Sequence, residues 1–413
     1  MKVSIITVGT ELLFGQIINT NAAYLSKQLN LMGFDVMYHF VVGDNAKRLE
    51  EKLIDAYQDT NIAILTGGLG PTQDDITKEV VAEYMGAEMY MDERVKSDLI
   101  EFFSKRNRRM TDNNLKQTYL PIGCTPFYNA TGTAPGFALE KDGKIAICFP
   151  GPPREMTWLF ENGARQYLEH YADKKMYYKV LRTVGIGESD LETVLLPVID
   201  GQTDPTIATY AKEGECALRI ASQRTTIEDA KNAVDELIID IDRYIGEYIY
   251  SYNNKEINDV VVDLLKEKNL KLSSAESATG GMFATTITDI PGSSSVFISS
   301  YVTYTPESKI NDLGINGEVI QEKGVVSPEV AMDMAIAAIN KSGSDIAVSI
   351  TGYAGPDADE GHSPGEAYIG YVYGDRQGCI AVNTSRSLRD WNRRYFVLMM
   401  QKTVYLLLTD KMQ

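Results

Sequence analysis

Residues 62–75 read Ile-Ala-Ile-Leu-Thr-Gly-Gly-Leu-Gly-Pro-Thr-Gln-Asp-Asp. Ile62, Ile64 and Leu65 form an apolar run that cannot face water, and it passes directly into a glycine-rich, hydroxyl-bearing loop ending in two carboxylates. Gly67, Gly68 and Gly70 let backbone N–H groups approach a ligand without interference from a Cβ. Asp74 and Asp75 follow where a helix begins. Two acids beside an anion cradle repel a phosphate unless a divalent cation lies between them. The segment predicts a strand, loop and helix in series, with a metal-assisted phosphate site.

The flanking sequence repeats the alternation. Residues 3–8 are a near-continuous apolar strand. Residues 21–32 predict an amphipathic helix, with Ala22, Leu25, Leu29 and Met32 on one face and Gly33 as its stop. A strand at 36–42 follows, then a helix capped by Asp44 or Asn45 that carries Leu49, Leu53 and Ile54. After the strand at Ile62 comes a helix over 76–85. This order predicts a parallel sheet covered on both faces. Ligands in such sheets bind beyond the carboxyl ends of strands, so the loops after Val8, Leu65 and Phe149 are the candidates.

Residues 175–250 have a different texture: strand, helix, two strands, helix, strand, the order of a small ferredoxin-like α+β unit. The polar stretch 251–256 reads as a linker. A second α/β domain follows, with strands near 271–275, 296–304, 345–350, 366–372 and 380–382 and a terminal helix over 389–408. Ser327-Pro328-Glu329 marks a helix start within it. The expected divisions are 1–170, 171–252 and 253–413.

The chain has 413 residues, too many for one ordinary core. Its 44% hydrophobic and 23% charged content is that of a soluble globular protein. A net charge of −17 argues against direct nucleic-acid or anionic-membrane binding, which need a basic footprint. Cys124, Cys148, Cys216 and Cys379 are far apart and predict reduced thiols in a cytoplasmic protein. The three histidines show no zinc spacing, so oxygen ligands are expected for any metal, as for magnesium or manganese. The N-terminus reads as a first strand rather than a signal peptide, and no uncharged run approaches the roughly 20 residues that span a bilayer.

Three loops are expected to meet above the first sheet: residues 9–16 with Asn19-Thr20-Asn21, the glycine loop, and residues 149–156. Taken singly each has an ordinary reading. Asn19 to Asn21 suit a helix cap, Gly67 and Gly68 a tight turn, and Asp74 and Asp75 a first helical turn. Pro150-Gly151-Pro152-Pro153 is stiff and fixes loop shape, with Glu155 an additional ligand candidate.

In the last domain, Ala275-Glu276-Ser277-Ala278-Thr279-Gly280-Gly281 ends a strand and starts a helix. Ser277 is expected where N–H groups and the positive end of the helix dipole converge, which suits a nucleophile whose attack creates an oxyanion. A serine cap is the plain alternative. In Tyr304-Thr305-Pro306-Glu307-Ser308-Lys309, Thr305 caps a helix and Lys309 falls near its first turn, where a cation opposes the dipole. A serine with a nearby lysine and tyrosine forms a histidine-free acyl-transfer site, and a solvated surface lysine is the alternative. Thr351, in the glycine loop after another strand, can bond a substrate amide or phosphate. Arg386, Arg389, Arg393 and Arg394 can clamp a phosphate or simply face water.

Gly9 to Leu13, Thr66 to Thr72 with Asp74-Asp75, Pro150 to Pro153 and Gly185 to Ser189 resemble the molybdopterin-binding-like domain of the competence/damage-inducible CinA family. Ala275 to Gly281, Tyr304 to Lys309, Thr351 to Pro356 and Pro364-Gly365 resemble that family's C-terminal amidase domain, found elsewhere as nicotinamide-nucleotide amidase. The resemblance spans nearly the whole chain. It implies an α/β protein with a parallel-sheet molybdopterin-binding-like domain, a small α+β middle domain and an α/β amidase domain.

The resemblance implies that the first domain cleaves ADP-ribose to AMP and ribose 5-phosphate with a divalent metal (magnesium, manganese or cobalt) on Asp74, Asp75 and Glu11. Thr10, Asn19, Asn21, Gly67, Gly68, Gly70, Thr72 and Gly151 would hold the substrate. It implies that the last domain hydrolyses nicotinamide mononucleotide to nicotinate mononucleotide and ammonia without a cofactor. Ser277 would be the nucleophile, Tyr304 and Lys309 its activators and Thr351 a positioning group. Thr279, Gly280, Gly352, Gly355 and an arginine would bind substrate. The family's Arg-x-x-x-Arg frame best matches Arg389 and Arg393. The usual Gly-Asp before it is replaced by Ser387-Leu388, which leaves Arg386 as a rival. A homodimer is expected, with no membrane association. Two rival functions stand beside this one: binding or adenylylation of a pterin by the first domain, and a competence-linked role as partner of a recombinase.

Overall fold

A computed structural model of the chain describes residues 1–357 and 362–412. The chain divides into two compact units: Met1–Tyr177 with Ser222–Ala233, and Tyr178–Ala221 with Val234–Gln413.

The first unit contains β1 (Lys2–Val8), β2 (Asp35–Val42), β3 (Ile62–Thr66), β4 (Met89–Met91), β5 (Tyr119–Pro121), β6 (Thr125–Phe127), β7 (Gly136–Lys141) and β8 (Lys144–Phe149). Its main sheet has the order β2-β1-β3-β8-β7-β6. The first four strands of that order are parallel, with Ile5 opposite Ile64 and Ile64 opposite Ile147. Alternate residues leave opposite faces. Val3, Ile5, Ile62 and Ile64 pack with Leu25 and Leu29, and Ile6, Val8, Ala63 and Leu65 pack with Leu49 and Leu53. Both faces are therefore covered, and each fully buried aliphatic side chain contributes roughly 1.5–3 kcal/mol.

The sheet is not purely parallel. β7 and β8 pair antiparallel, with Lys141 opposite Lys144. The two-residue turn between them, Asp142-Gly143, has φ of 51° and 72°, the geometry that continues a twisted hairpin. Asn19 caps the helix Thr20–Leu31 by accepting from Ala22 N, and Asn45 rather than Asp44 caps Ala46–Asp59.

Further along the chain, β9 (Lys175–Val184), β10 (Thr206–Lys212), β11 (Glu215–Arg224) and β12 (Ile249–Ser251) form a sheet of order β10-β11-β9-β12, interleaved with helices Glu188–Ile199 and Ile227–Ile245. That is the expected ferredoxin-like arrangement.

The last sheet has β13 (Leu272–Glu276), β14 (Phe297–Val302), β15 (Ile346–Gly352), β16 (Glu366–Tyr373) and β17 (Arg376–Asn383), in the order β14-β13-β15-β16-β17. β13 pairs parallel with both neighbours, so three loops emerge side by side at one edge. The helix Arg389–Leu408 packs Phe396, Met400 and Val404 against Leu272, Val348 and Ile350. On the other face the helix Pro328–Ser342, capped by Ser327, packs Val330, Met334 and Ala338 against Ala275 and Ala347. All four cysteines are free thiols. No described helix is long and apolar enough to cross a membrane.

Candidate active sites

Ser277 is the first residue beyond β13, which lies between β14 and β15 in the last sheet. Its N–H donates to Ile350 O of β15 at 3.1 Å, and Thr303 N donates to Glu276 O at 2.9 Å from the β14 side. The nucleophile candidate is thus pinned between two neighbouring strand ends. Thr305 caps the next helical turn, accepting from Ser308 N at 3.2 Å. Lys309 follows in a wide helical turn, Lys309–Leu313. Its side chain is fully buried, which rules out the solvated-surface reading. Nζ lies 2.9 Å from both Ser277 Oγ and Thr303 O. Burial disfavours the ammonium and brings its pKa down to about 8.

The helix after Ser277 begins only at Met282, so Ser277 neither caps it nor lies at its dipole end. Glu276 takes that place. Fully buried, it accepts from Ala284 N at 2.9 Å and Ser300 Oγ at 3.1 Å through one oxygen. Its other oxygen accepts from Phe283 N at 3.0 Å and Thr279 Oγ1 at 2.8 Å. Sequence reasoning missed this carboxylate, although an acid immediately before the candidate nucleophile was a visible signal. Among the described residues, the N–H groups of Ala278 and Thr279 take part in no backbone hydrogen bond.

A cavity of about 300 Å³ opens over Ser277, with Tyr304, Thr351, Gly352, Tyr353 and Arg389 in its wall. Tyr304 is 57% exposed, and its hydroxyl accepts from Arg389 at 2.9 Å rather than touching Ser277. Arg389 also donates to Gly355 O at 2.7 Å, so its guanidinium is held at the cavity rim. Arg393 donates to Thr279 O at 2.7 Å and thereby supports the loop. Arg386 lies over the Trp391 ring at 4.2 Å and does not line the cavity. Thr351 Oγ1 donates to Val325 O at 3.0 Å, which leaves it only acceptor capacity toward a substrate. Gly352 is required by packing, because a Cβ there would lie 2.4 Å from the Ala367 side chain. Gly280, with φ +59°, has room for the loop to turn beside Arg393.

In the first unit the carboxyl ends of β1, β3 and β8 are adjacent, and a cavity of about 430 Å³ opens there. Glu11, Asp74, Asp75 and Glu155 line it, as do Gly67, Gly68, Gly70, Thr72 and Gly151. Gly67 adopts φ +107°, and a Cβ would fall 2.0 Å from Val8 O, so the close approach here is to the protein's own backbone. Gly68, with φ +68°, makes the same allowance for Thr77 Oγ1. Asp75 accepts from Thr72 N at 2.9 Å and Thr72 Oγ1 at 2.5 Å, which closes the loop.

Thr10 is drawn to Asp44, donating its N–H at 3.1 Å and its hydroxyl at 2.7 Å. Asp44 lines the cavity in its place. Glu155 accepts from Asn129 at 2.6 Å, and burial raises its pKa. Gln117 was not foreseen. It lines the same cavity, donates to Thr133 at 3.1 Å, and its Oε1 has no partner.

Among the described residues, no three His, Cys, Asp or Glu side chains gather into a preformed metal cluster. The donor set still fits a hard cation. Magnesium commonly takes one or two carboxylates and completes its shell with water and substrate phosphate oxygens, and here Glu11, Asp44, Asp74 and Asp75 line one cavity with a glycine loop.

Comparison with known proteins gives three family profiles in sequence along the chain. A profile described as a probable molybdopterin binding domain matches residues 4–170. The damage-inducible protein CinA KH domain matches 178–251, and the CinA C-terminal domain matches 254–407. A relative from Caldicellulosiruptor saccharolyticus, carrying a competence-damage inducible protein name, is 46% identical over 371 residues, 90% of each chain. A CinA-like protein from Dictyoglomus turgidum is 43% identical over 377 residues, 91% of this chain and 92% of its own. A solved structure of a CinA protein from Thermoplasma acidophilum aligns with 40% of this chain and 98% of its own, at 34% identity and a TM-score of 0.38.

Proposed function

The chain belongs to the CinA family, and on that footing we propose that it is a two-site hydrolase of pyridine-nucleotide fragments. The last domain hydrolyses the carboxamide of nicotinamide mononucleotide to nicotinate mononucleotide and ammonia. The observation that carries this reading is the buried Lys309 Nζ at 2.9 Å from Ser277 Oγ, with its pKa brought down to about 8. In its neutral form the amine donates to Thr303 O and turns its lone pair to the serine hydroxyl.

Ser277 Oγ attacks the carboxamide carbon and gives its proton to Lys309. The tetrahedral intermediate collapses as Lys309 returns a proton to the leaving nitrogen, releasing ammonia and leaving an acyl ester. Water, deprotonated by the same amine, then cleaves the ester and frees Ser277. The Ala278 and Thr279 N–H groups are the proposed oxyanion donors. Arg389, held by Gly355 O and Tyr304, offers a planar fork to the substrate phosphate.

The first domain cleaves ADP-ribose to AMP and ribose 5-phosphate. Glu11, Asp74 and Asp75 line the cavity with Asp44 beside them, and one or two of these carboxylates would hold a divalent cation together with water and substrate phosphate. When bound, that ion neutralises the diphosphate and polarises it toward water. The protein's own part is to present the glycine loop to the phosphate oxygens and to keep Asp75 fixed through Thr72. The division into domains at 1–170, 171–252 and 253–413 is part of the proposal, and the three profile matches support it.

The profile over residues 4–170 also favours a second reading, in which the first domain binds a pterin. Competition between ADP-ribose and a pterin for the purified chain separates the two. The proposal is tested by separate incubation with nicotinamide mononucleotide and ADP-ribose, followed by chromatographic identification of products. Ammonia with nicotinate mononucleotide, and AMP with ribose 5-phosphate, are expected. Intact substrates under all metal conditions would overturn it.

A further inference from the structure

Within the second unit, a cavity of about 500 Å³ opens between the β10–β11 hairpin and the terminal helix, and it shares no lining residue with the cavity over Ser277. That is the size of a small-ligand site. The hairpin tip is seated on the helix. Gly214 has φ +78°, and a Cβ there would lie 2.7 Å from the Tyr395 and Leu398 side chains. Beside it Arg394 donates to the two Glu213 oxygens at 2.6 and 2.9 Å. The walls are therefore packed elements, and the floor is apolar, made by Met282, Val397 and Leu398.

The charges on the rim do not balance. Arg394 is engaged by Glu213, and Lys212 pairs with Glu256 at 3.0 Å. Glu215 also lines the cavity, and among the described residues no cation lies within ion-pair distance of it. It is partly buried, and its one hydrogen bond is from the Tyr250 hydroxyl at 2.5 Å. Burial pushes its carboxyl above the ordinary range. A carboxylate leaving water needs a cation or further donors.

Gln401 supplies a second, independent observation. It is 5% exposed and lines the same cavity. Its Nε2 donates to Thr286 Oγ1 at 2.9 Å, and that hydroxyl gives its own proton to Phe283 O at 2.8 Å. The hydroxyl can therefore only accept from Gln401, which fixes the amide and leaves Oε1 as the free acceptor. Among the described residues Oε1 takes no hydrogen bond. Buried acceptors are nearly always satisfied, so this one calls for a donor from outside the described chain.

We propose that this cavity is a ligand site, separate from both catalytic candidates, for a small aliphatic diamine. One ammonium pairs with Glu215, the other end donates to Gln401 Oε1, and the chain between them lies on Met282, Val397 and Leu398.

The test is calorimetric titration of the full chain with 1,6-diaminohexane, hexylamine and hexanoate, whose flexible chains are alike and whose ends differ. The diamine is expected to bind most tightly and hexylamine about tenfold more weakly, for one charge-assisted hydrogen bond lost. Hexanoate, which meets Glu215 with a like charge, is expected not to bind. Glu215→Gln keeps the shape and should weaken hexylamine about tenfold. Gln401→Met should bring the diamine down to hexylamine and leave hexylamine unmoved. Met282→Gln, at a partly exposed position, should weaken both amines severalfold by making the floor polar. Failure of both amines to bind at millimolar concentration, hexanoate binding as well as hexylamine, or hexylamine affinity unmoved in Glu215→Gln overturns the site. A diamine that keeps its advantage in Gln401→Met overturns the role of Gln401, and amines unmoved in Met282→Gln overturn the placing of the chain. None of these readouts depends on ammonia release, so the proposal stands or falls apart from the hydrolase reading.

Discussion

Replacing Lys309 by methionine keeps the aliphatic stem and removes the amine, and the structure predicts that activity and stability then part company. Burial lowers the Lys309 pKa from an ordinary 10.5 to about 8. Because the folded value lies below the unfolded one, the unfolded chain holds the proton more tightly between those two values. Stability therefore rises with pH across that window, and below about 8 the full penalty is present. A gap of this size corresponds to about 3 kcal/mol at neutral pH, which methionine would relieve. The same change leaves Thr303 O without its donor, at a cost of roughly 1–3 kcal/mol. The two effects nearly cancel, so the variant should unfold within about 2 kcal/mol of the parent. Its turnover should fall by about 10²–10⁴, the range expected for loss of a general base. In the parent, kcat/KM should rise about tenfold per pH unit up to about 8 and then level, because only the neutral amine accepts the Ser277 proton. The assay is ammonia release from nicotinamide mononucleotide from pH 6 to 9, paired with thermal unfolding. A flat profile, or a Lys309→Met variant keeping more than a tenth of the parent rate, would refute the reasoning.

Ser277→Ala should abolish ammonia release and cost only about 1 kcal/mol of stability, for the one hydrogen bond from Lys309, since the Ser277 hydroxyl caps no helix. A loss of roughly 0.5–2 kcal/mol with turnover intact would instead mark a cap. Glu276→Gln should destabilise the last domain by about 2–3 kcal/mol in urea unfolding and lower ammonia release. Each carboxylate oxygen accepts a backbone N–H, and an amide NH₂ would set donor against donor at one of them. Wild-type stability in that variant would contradict the buried-acceptor network. Asp74→Asn should reduce ADP-ribose cleavage at low magnesium and leave ammonia release unchanged, because it removes a hard anionic donor from the first unit alone.

Much of this arrangement was legible from local pattern. The apolar runs at Val3 and Ile62 could only be buried strands, and the three loops at their carboxyl ends follow from parallel order. Asn19 as a cap, Ser327-Pro328 as a helix start and the bounds of the terminal helix are local chemistry, and the structure has each of them. What escaped notice depends on contacts distant in sequence. That Lys309 is buried follows from the folding of Lys309–Leu313 beneath the strand ends, not from its neighbours in the chain. Thr10 looked like a ligand contact because its partner, Asp44, is 34 positions away. At Gly67 and Gly68 the place a Cβ would take is held by Val8 O and Thr77 Oγ1, a packing demand invisible in the local sequence, while both residues line the carboxylate cavity. The antiparallel edge of the first sheet did have a local signature, Asp142-Gly143, whose two positive φ angles make the hairpin.

The central claim is that two chemistries coexist, one dependent on a cation and one on a buried Ser-Lys pair. A single preparation of the full chain, assayed with nicotinamide mononucleotide and ADP-ribose before and after chelation, tests it directly. The account predicts that chelator stops AMP formation and leaves ammonia release at its original rate, with magnesium restoring the first. Loss of both activities with the fold intact, or persistence of both, would contradict it.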